Sequence, residues 1–351
     1  MKKLFLLLIL FLLCGCSTLE TNIVKSANLV NESVVRIETR YIDIDSNGSK
    51  IEAYSIGSGV IYKTFGINSF GTRELKNNRK YQKYEYYLLT NRHVISQGET
   101  FKVYLGKFDE YVDAKVLGYD DKLDIAIMSF EYTKYINSVK FSETGVIKQG
   151  SFVFTIGNPD GYLDSLTMGV VSYPTRALMS DTNSDKISDF VARYIQIDAA
   201  INPGSSGGGL FDSKGKLIGI NTMKIVDEKI EGIGFAILLD DIKPLIPFLE
   251  KGIIPKRVEL GIVASDVNNL SLITPEEKFD YGMLITNIKK DSLADNMGLK
   301  VNDLIIEVNG NKIKHIEQLL LYVNSQIIGQ NKKLEIKVVR DGSYMTLNTI
   351  V

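Results

Sequence analysis

Between Asp198 and Leu210 the chain reads DAAINPGSSGGGL, two adjacent serines among glycines. Three kinds of chemistry use such a stretch. A phosphate-cradling loop needs G-x-x-x-x-G-K-[ST] at the head of a helix. No lysine follows these glycines within reach, and the next element reads as a strand. A nucleophile elbow needs G-x-S-x-G, then a helix, then a later histidine. Gly204-x-Ser206-x-Gly208 has the spacing, but LFDSKGKLIGINT reads strand–turn–strand, and the only later histidine is His315. The third chemistry uses residues upstream. His93 follows the apolar run in LLTNRHVIS, and Asp124 stands at the entrance to IAIMSF. A histidine can take the proton of a serine hydroxyl and later give one to a leaving amine. A carboxylate on its other ring nitrogen fixes the tautomer. Glycines let a turn aim backbone N–H groups at one point, where negative charge develops on oxygen. Gly204 and Ser206 are the expected donors, with Ser205 between them in the same oxyanion hole.

These groups need a frame. From about Ser33 to Ile237 short runs rich in Ile, Val, Tyr and Phe alternate with turn signals. Strands are predicted at 33–40, 57–62, 84–90, 101–105, 125–130, 151–157, 166–173, 193–198, 216–222 and 233–238. Many short strands with little helix favour an all-β barrel or sandwich, and about 200 residues suit two small barrels. Residues 63–85 interrupt the pattern with six Lys/Arg and two Glu, and read as a long solvated loop. DDIKPLIPFLEKG reads as a short helix interrupted by prolines, and 251–257 as a linker. Beyond it come a strand at 282–288, a short helix capped by Asp291, a strand ending in an Asn309–Gly310 turn, a helix HIEQLLLYVNSQI and a hairpin turning at Asp341–Gly342.

The pieces GSGVIY, LLTNRHV, LDIAIM, IGNPDG, QIDAAINPGSSGGGL, IGINT and GIGFAI stand in this order across 33–238. Together they resemble a bacterial HtrA/Deg-family serine protease with one PDZ domain. The resemblance implies a mainly β fold: a chymotrypsin-like double β-barrel followed by an α+β PDZ domain. It implies a triad of His93, Asp124 and Ser206, with Ser205 standing where the family pattern has Asn. Trypsin-like enzymes that cut after Lys or Arg carry an Asp six residues before the nucleophile, and here that residue is Ala200. With Ile201 and the strand GIGFAI it suggests a modest apolar pocket, hence cleavage after Val, Ile or Ala in unfolded protein substrates. PTRALMSDTNSDKISDFVAR resembles the family's sensor loop, with Arg176 at the matching arginine position. ELGIV and DSLADNMGLKVNDLIIEVNGNKI resemble a PDZ domain that binds C-terminal peptides, with Leu260, Gly261 and Ile262 as its carboxylate loop. Relatives form trimers, so a homotrimer is expected. A non-catalytic chaperone or peptide-binding scaffold with the same fold is the alternative.

The N-terminus, MKKLFLLLILFLLCGCSTLE, has two lysines, ten apolar residues and then Leu-Cys-Gly-Cys. It resembles a lipoprotein signal, with Cys16 lipidated and anchoring the chain to an extracytoplasmic membrane face. The expected divisions are a signal peptide 1–15, a lipidated tether 16–27, a peptidase domain 28–250, the linker 251–257 and a PDZ domain 258–351. The 351 residues are 44% hydrophobic and 24% charged, which argues against general disorder. The net charge of −1 suggests no nucleic-acid partner. Two distant histidines and one lipidated cysteine make no zinc site, so no metal or cofactor is implied.

Overall fold

The computed structural model describes residues 20–45, 47–75, 81–143, 145, 147–158, 165–180, 190–223, 232–267 and 281–351. The leader with Cys16 and the centre of the sensor segment, 181–189, lie outside the described residues. The described residues pack as two units. The first takes those up to Arg176 with Arg193–Ile254, the second those of Ala177–Ala192 with Pro255–Val351.

The first unit begins with β1 (Val34–Ile44), β2 (Lys50–Ile67), β3 (Arg73–Leu75), β4 (Lys83–Asn91), β5 (Thr100–Leu105), β6 (Glu110–Asp120) and β7 (Ile125–Tyr132). They bond in the order β1-β5-β6-β7-β4-β2, and β2 returns to β1, closing a six-stranded barrel with β3 on its rim. Ile37, Ile61, Tyr86, Leu88, Val103 and Met128 fill it. Each such buried side chain stabilises the barrel by about 1.5–3 kcal/mol relative to exposure. A second closed barrel follows from β8 (Lys140–Phe141), β9 (Phe152–Gly157), β10 (Ser165–Ser180), β11 (Phe190–Ile197), β12 (Gly209–Asp212), β13 (Lys216–Thr222) and β14 (Gly234–Leu238). Its order is β12-β9-β10-β11-β14-β13, with β13 returning to β12 and β8 added parallel to β13. Val153, Val171, Ile195, Leu210, Ile218 and Ala236 form its centre.

The insertion differs from expectation. Instead of a solvated loop, β2 runs on to Ile67 and pairs with both β3 and β4. Its turn is held by Asn68 Oδ1, which accepts from the Phe70 and Thr72 N–H groups. Glu85 on β4 is buried, with Arg73 Nε 2.6 Å from its carboxylate. Charged residues here alternate along strands, so local polarity concealed the pairing.

Residues 20–30 form a helix, α1, where the tether and the start of the peptidase domain were expected. Ser26 Oγ donates to the Ser213 carbonyl at 3.1 Å, docking α1 on the β12–β13 turn. After β14 come α2 (Leu239–Ile242) and α3 (Ile246–Leu249), separated by Pro244 as the sequence predicts. Glu250, just beyond α3, receives the Tyr62 hydroxyl and the Lys63 ammonium at 2.9 Å, tying the helix end to β2.

The second unit is built from β15 (Ile262–Asp266), β16 (Met283–Ile288), α4 (Leu293–Met297), β17 (Leu304–Val308), β18 (Asn311–Lys312), α5 (Ile316–Asn324), β19 (Lys333–Arg340) and β20 (Ser343–Ile350). The sheet runs β15-β16-β17-β19-β20, leaving β15 at one edge. Met283, Ile285, Ile305, Leu319, Val323 and Ile336 lie in its core. Ser292, not Asp291, caps α4: its hydroxyl accepts from the Asp295 N–H, while Asp291 takes a left-handed turn at φ +60°. Asp303, fully buried, is held by Arg340 through two bonds of 2.6 and 2.7 Å. Removing either partner of such a pair costs about 3–5 kcal/mol, because the other charge stays buried.

Candidate active site

Of the three residues expected to form a triad, the structure joins His93 and Asp124 directly. His93 opens a short 3-10 turn where β4 ends, and Asp124 stands immediately before β7. Strands β4 and β7 pair along their whole length, with Asn91 opposite Ile125, and this register brings His93 beside Asp124. The His93 ring Nδ1 lies 2.7 Å from Asp124 Oδ2, and the His93 backbone N–H donates to Asp124 Oδ1 at 2.9 Å. Both carboxylate oxygens are therefore occupied, and Asp124 is buried. Nδ1–H facing the carboxylate leaves Nε2 with its lone pair, the form a general base needs.

Asp124 adopts φ +58°, an uncommon conformation for a residue with a side chain. Its carbonyl is fixed twice, by Asn91 Nδ2 at 3.0 Å and by the Arg92 N–H at 3.1 Å. Asn91 is fully buried, and its side chain thus sets the backbone from which the carboxylate projects. The neighbouring acids differ in role. Asp120 is buried and accepts from the Leu123 N–H, shaping the turn, whereas Asp121 sits outside and pairs with Arg92.

The serine loop follows from local rules. Asn202-Pro203-Gly204-Ser205 is a β-turn closed by the Ser205 N–H on the Asn202 carbonyl at 2.8 Å. Proline at its second position and Gly204 at φ +89° make it type II. Types I and II differ by a flip of the central peptide, whose N–H here is that of Gly204. Among the described residues neither the Gly204 N–H nor the Ser206 N–H has an acceptor, so both are available to a developing oxyanion. Ser205 leaves that set, because its N–H is committed to Asn202. Gly207, at φ +84°, packs against the Ser58 carbonyl and the Thr90 hydroxyl so closely that a Cβ would collide with both.

Ser58, within the motif GSGVIY on β2, crosses from the first barrel to this loop. Its hydroxyl donates to the Gly204 carbonyl at 2.7 Å and accepts from the Asn158 N–H at 2.9 Å. Its own N–H donates to the Ser206 carbonyl at 2.8 Å. Holding the carbonyls of 204 and 206 on one side directs the loop's free N–H groups elsewhere. Sequence reasoning missed Ser58 and Asn91, although both lie in the quoted motifs. Each acts through backbone groups distant in the chain, which leaves no mark in residue type or spacing.

Ser206 is itself buried, and its Oγ accepts from the Met223 N–H at 3.3 Å. Among the described residues no hydrogen bond joins it to His93. Beside this loop Asn221 is fully buried, with neither its side-chain oxygen nor its nitrogen partnered. Its backbone bonds Gly207 and Gly208. Burial pushes the Tyr194 phenol up, and the charges of Asp124 and Asp241 add to the shift, so this ring stays neutral behind the triad.

Near the serine, Ala200 is exposed and its carbonyl accepts from the Thr167 hydroxyl at 2.8 Å. Ile201 is half-buried against the second barrel's core and approaches Gly234 at the start of β14. Arg176 on β10 bonds Gln196 Oε1 at 2.7 Å and lies over the Tyr173 ring. In the second unit, Leu260 and Gly261 precede β15, which Ile262 opens; the carbonyls of Leu260 and Gly261 accept from the Ala294 and Lys289 N–H groups. His315 caps the start of α5 and is exposed. Among the described residues no group of three His, Cys, Asp or Glu side chains gathers as a metal site would, and no helix is long and apolar enough to cross a membrane.

Comparison with known proteins agrees with this geometry. A family of trypsin-like peptidase domains matches residues 70–220, and a PDZ-domain family matches 284–340. The chain is 30% identical over 324 residues to a serine protease Do-like HtrA of Lactobacillus helveticus, covering 86% of this chain and 73% of that protein. It is 33% identical over 264 residues to the periplasmic serine endoprotease DegP of Salmonella typhimurium, covering 75% of this chain and 53% of that longer protein. The solved structure of the HtrA-type protease AlgW with tripeptide superposes with a TM-score of 0.65 at 25% identity, over 93% of this chain and 95% of that one.

Proposed function

Since this chain belongs to the HtrA family and is a serine endopeptidase, we propose that it degrades unfolded or misfolded protein outside the cytoplasm, with Ser206, His93 and Asp124 as its triad. The observation that carries this reading is the short His93–Asp124 pair together with a type II turn whose Gly204 and Ser206 N–H groups have no acceptor among the described residues. On substrate binding Ser206 rotates from the Met223 N–H to His93 Nε2, a tightening common when a resting site meets its substrate. The Ser206 oxygen attacks the peptide carbonyl as His93 takes its proton. The tetrahedral oxyanion rests on the two free N–H groups. Collapse expels the amine, protonated by His93, and leaves an acyl-enzyme that water hydrolyses by the same steps.

Ala200, where trypsin-like enzymes that cut after Lys or Arg carry Asp, together with Ile201 and the Gly234 strand supports a small apolar pocket, hence cleavage after Val, Ile, Ala or similar residues. One methylene in such a pocket is worth only about 1–3 kcal/mol, so selection among apolar residues is broad. Arg176 belongs to the regulatory loop. The second unit binds C-terminal peptides, with Leu260, Gly261 and Ile262 around the carboxylate. The N-terminal sequence supports lipid attachment at Cys16, and the family supports a homotrimer.

The test is digestion of unfolded casein by the chain and by its Ser206→Ala variant. Degradation by the unsubstituted chain alone, with product ends after small apolar residues, is expected. Equal degradation by both refutes Ser206. Cuts mainly after Lys or Arg refute the pocket. No degradation by either chain, even with C-terminal peptides added, favours the scaffold reading.

A further inference from the structure

The edge strand of the second unit carries charge as well as apolar side chains. Among the described residues β15 pairs with β16 on one side only. Such an edge accepts an extended chain by strand addition, while backbone N–H groups at the strand's start hold a terminal carboxylate. Ile262 and Ala264 pack on the unit's core. Side chains alternate along a strand, so Asp266 shares their face. The one irregularity in the ladder falls on β16, where Thr286 is skipped between Asn287 and Ile285, so β15 keeps its alternation. Contact with α5 agrees: Asp266 Oδ2 lies 3.8 Å from His315 Nδ1 at the helix start. Asp266 Oδ1 is buried with no donor among the described residues. At the other end of the strand Lys289, whose N–H bonds the Gly261 carbonyl, and Lys290 are exposed. The edge is thus basic where a carboxylate would enter and acidic four residues on.

A peptide added antiparallel, with its last residue opposite Ile262, places its third-from-last residue opposite Ala264 and its fifth-from-last opposite Asp266. Directly opposed residues share a face and touch. We propose that this groove selects C-terminal peptides with lysine or arginine at the fifth position from the end, its cation held by Asp266. The proposal rests on the reading of the second unit as a peptide-binding PDZ domain. A partly exposed pair contributes modestly, so exchanging lysine for glutamate, attraction for repulsion, should change affinity by roughly tenfold.

The experiment is fluorescence anisotropy with labelled ten-residue peptides ending in valine, carrying Lys, Ala or Glu at that position. The full chain is used with Ser206→Ala, so that peptides are not cut. Affinity in the order Lys, Ala, Glu is expected. Asp266→Asn should bring the three within about twofold while leaving the alanine peptide unchanged, and Asp266→Lys should reverse the order. Equal affinities in the chain with Asp266 intact overturn the proposal and leave the peptide-binding reading standing. Failure of every free-acid peptide to bind, or equal binding of C-terminally amidated peptides, overturns that reading and the proposal with it.

Discussion

Replacing Ser58 by alanine tests whether the first barrel shapes the serine loop of the second. The substitution removes one oxygen and three hydrogen bonds, the 2.7 Å donation to the Gly204 carbonyl, the 2.9 Å acceptance from the Asn158 N–H and a long 3.5 Å one from Asn158 Nδ2. It spares the Ser58 N–H bond to the Ser206 carbonyl, which is backbone. Asn158 is buried, so the bond between its N–H and Ser58 Oγ is lost out of reach of water. A net hydrogen bond contributes about 0.5–1.5 kcal/mol, which predicts a fall in unfolding stability of that order for each bond lost. The effect on rate is separate. The Gly204 carbonyl adjoins the type II turn, and losing a net bond of about 1 kcal/mol lets the turn populate the flipped form, in which the Gly204 N–H points away. Loss of one oxyanion donor costs roughly 100–1,000-fold, so activity follows the population that retains it. A fall in kcat of up to about fivefold is expected from about 1 kcal/mol, with KM changed by less than about twofold. The assay is steady-state cleavage of a fluorogenic peptide with valine before the scissile bond, together with urea unfolding. An unchanged kcat in a variant destabilised as expected would refute the role assigned to Ser58 in the oxyanion loop. A KM effect alone would refute it equally.

Asn91→Ala frees the carbonyl of Asp124 in its left-handed conformation, and should lower kcat by about tenfold with KM little changed; Asn91→Leu, which keeps the volume, should do the same, whereas a purely packing role would let leucine recover activity. Glu85→Gln should raise the melting temperature at neutral pH. Burial pushes the Glu85 carboxyl up, against the pull of Arg73 and Lys115. The folded chain therefore holds this proton more tightly than the unfolded chain does. The stability it contributes is full below the ordinary glutamate range and lost as pH rises through the folded value. The gap between the unsubstituted chain and its Glu85→Gln variant should close as pH falls through that range, and a gap independent of pH in thermal melts would refute the linkage.

The strands of both barrels were readable because most are continuous or alternating apolar runs. IAIMSF became β7 and KLIGINT became β13 almost to the residue. β6, EYVDAKVLGYD, was not foreseen, since its outward residues are charged and it gains its partners from β5 and β7. β12 agrees with the strand–turn–strand reading of LFDSKGKLIGINT and begins one residue earlier, inside the glycine run. At the site, the pairing of His93 with Asp124 was readable from their places at the end of one strand and the start of another. The groups that hold those side chains were not. Ser58, Asn91 and the Ser205 N–H act on backbone atoms 33 to 146 residues away or three residues back, and any residue could supply such an atom. The cap at Ser292 shows the same limit at short range, because Asp291 and Ser292 are both competent caps and only the left-handed turn at 291 decides between them.

The bonds of Ser58 also impose an order in time. On the ribosome the first barrel, with His93 and Asp124, is complete before the stretch that carries Ser206 is synthesised. His93 and Asp124 can therefore be paired while the serine loop is still absent. The loop acquires its shape only when the second barrel closes and docks against β2, since the groups that restrain Gly204 and Ser206 reach over from the first. The serine loop is thus shaped later than the pairing of His93 with Asp124, and only with both barrels in place.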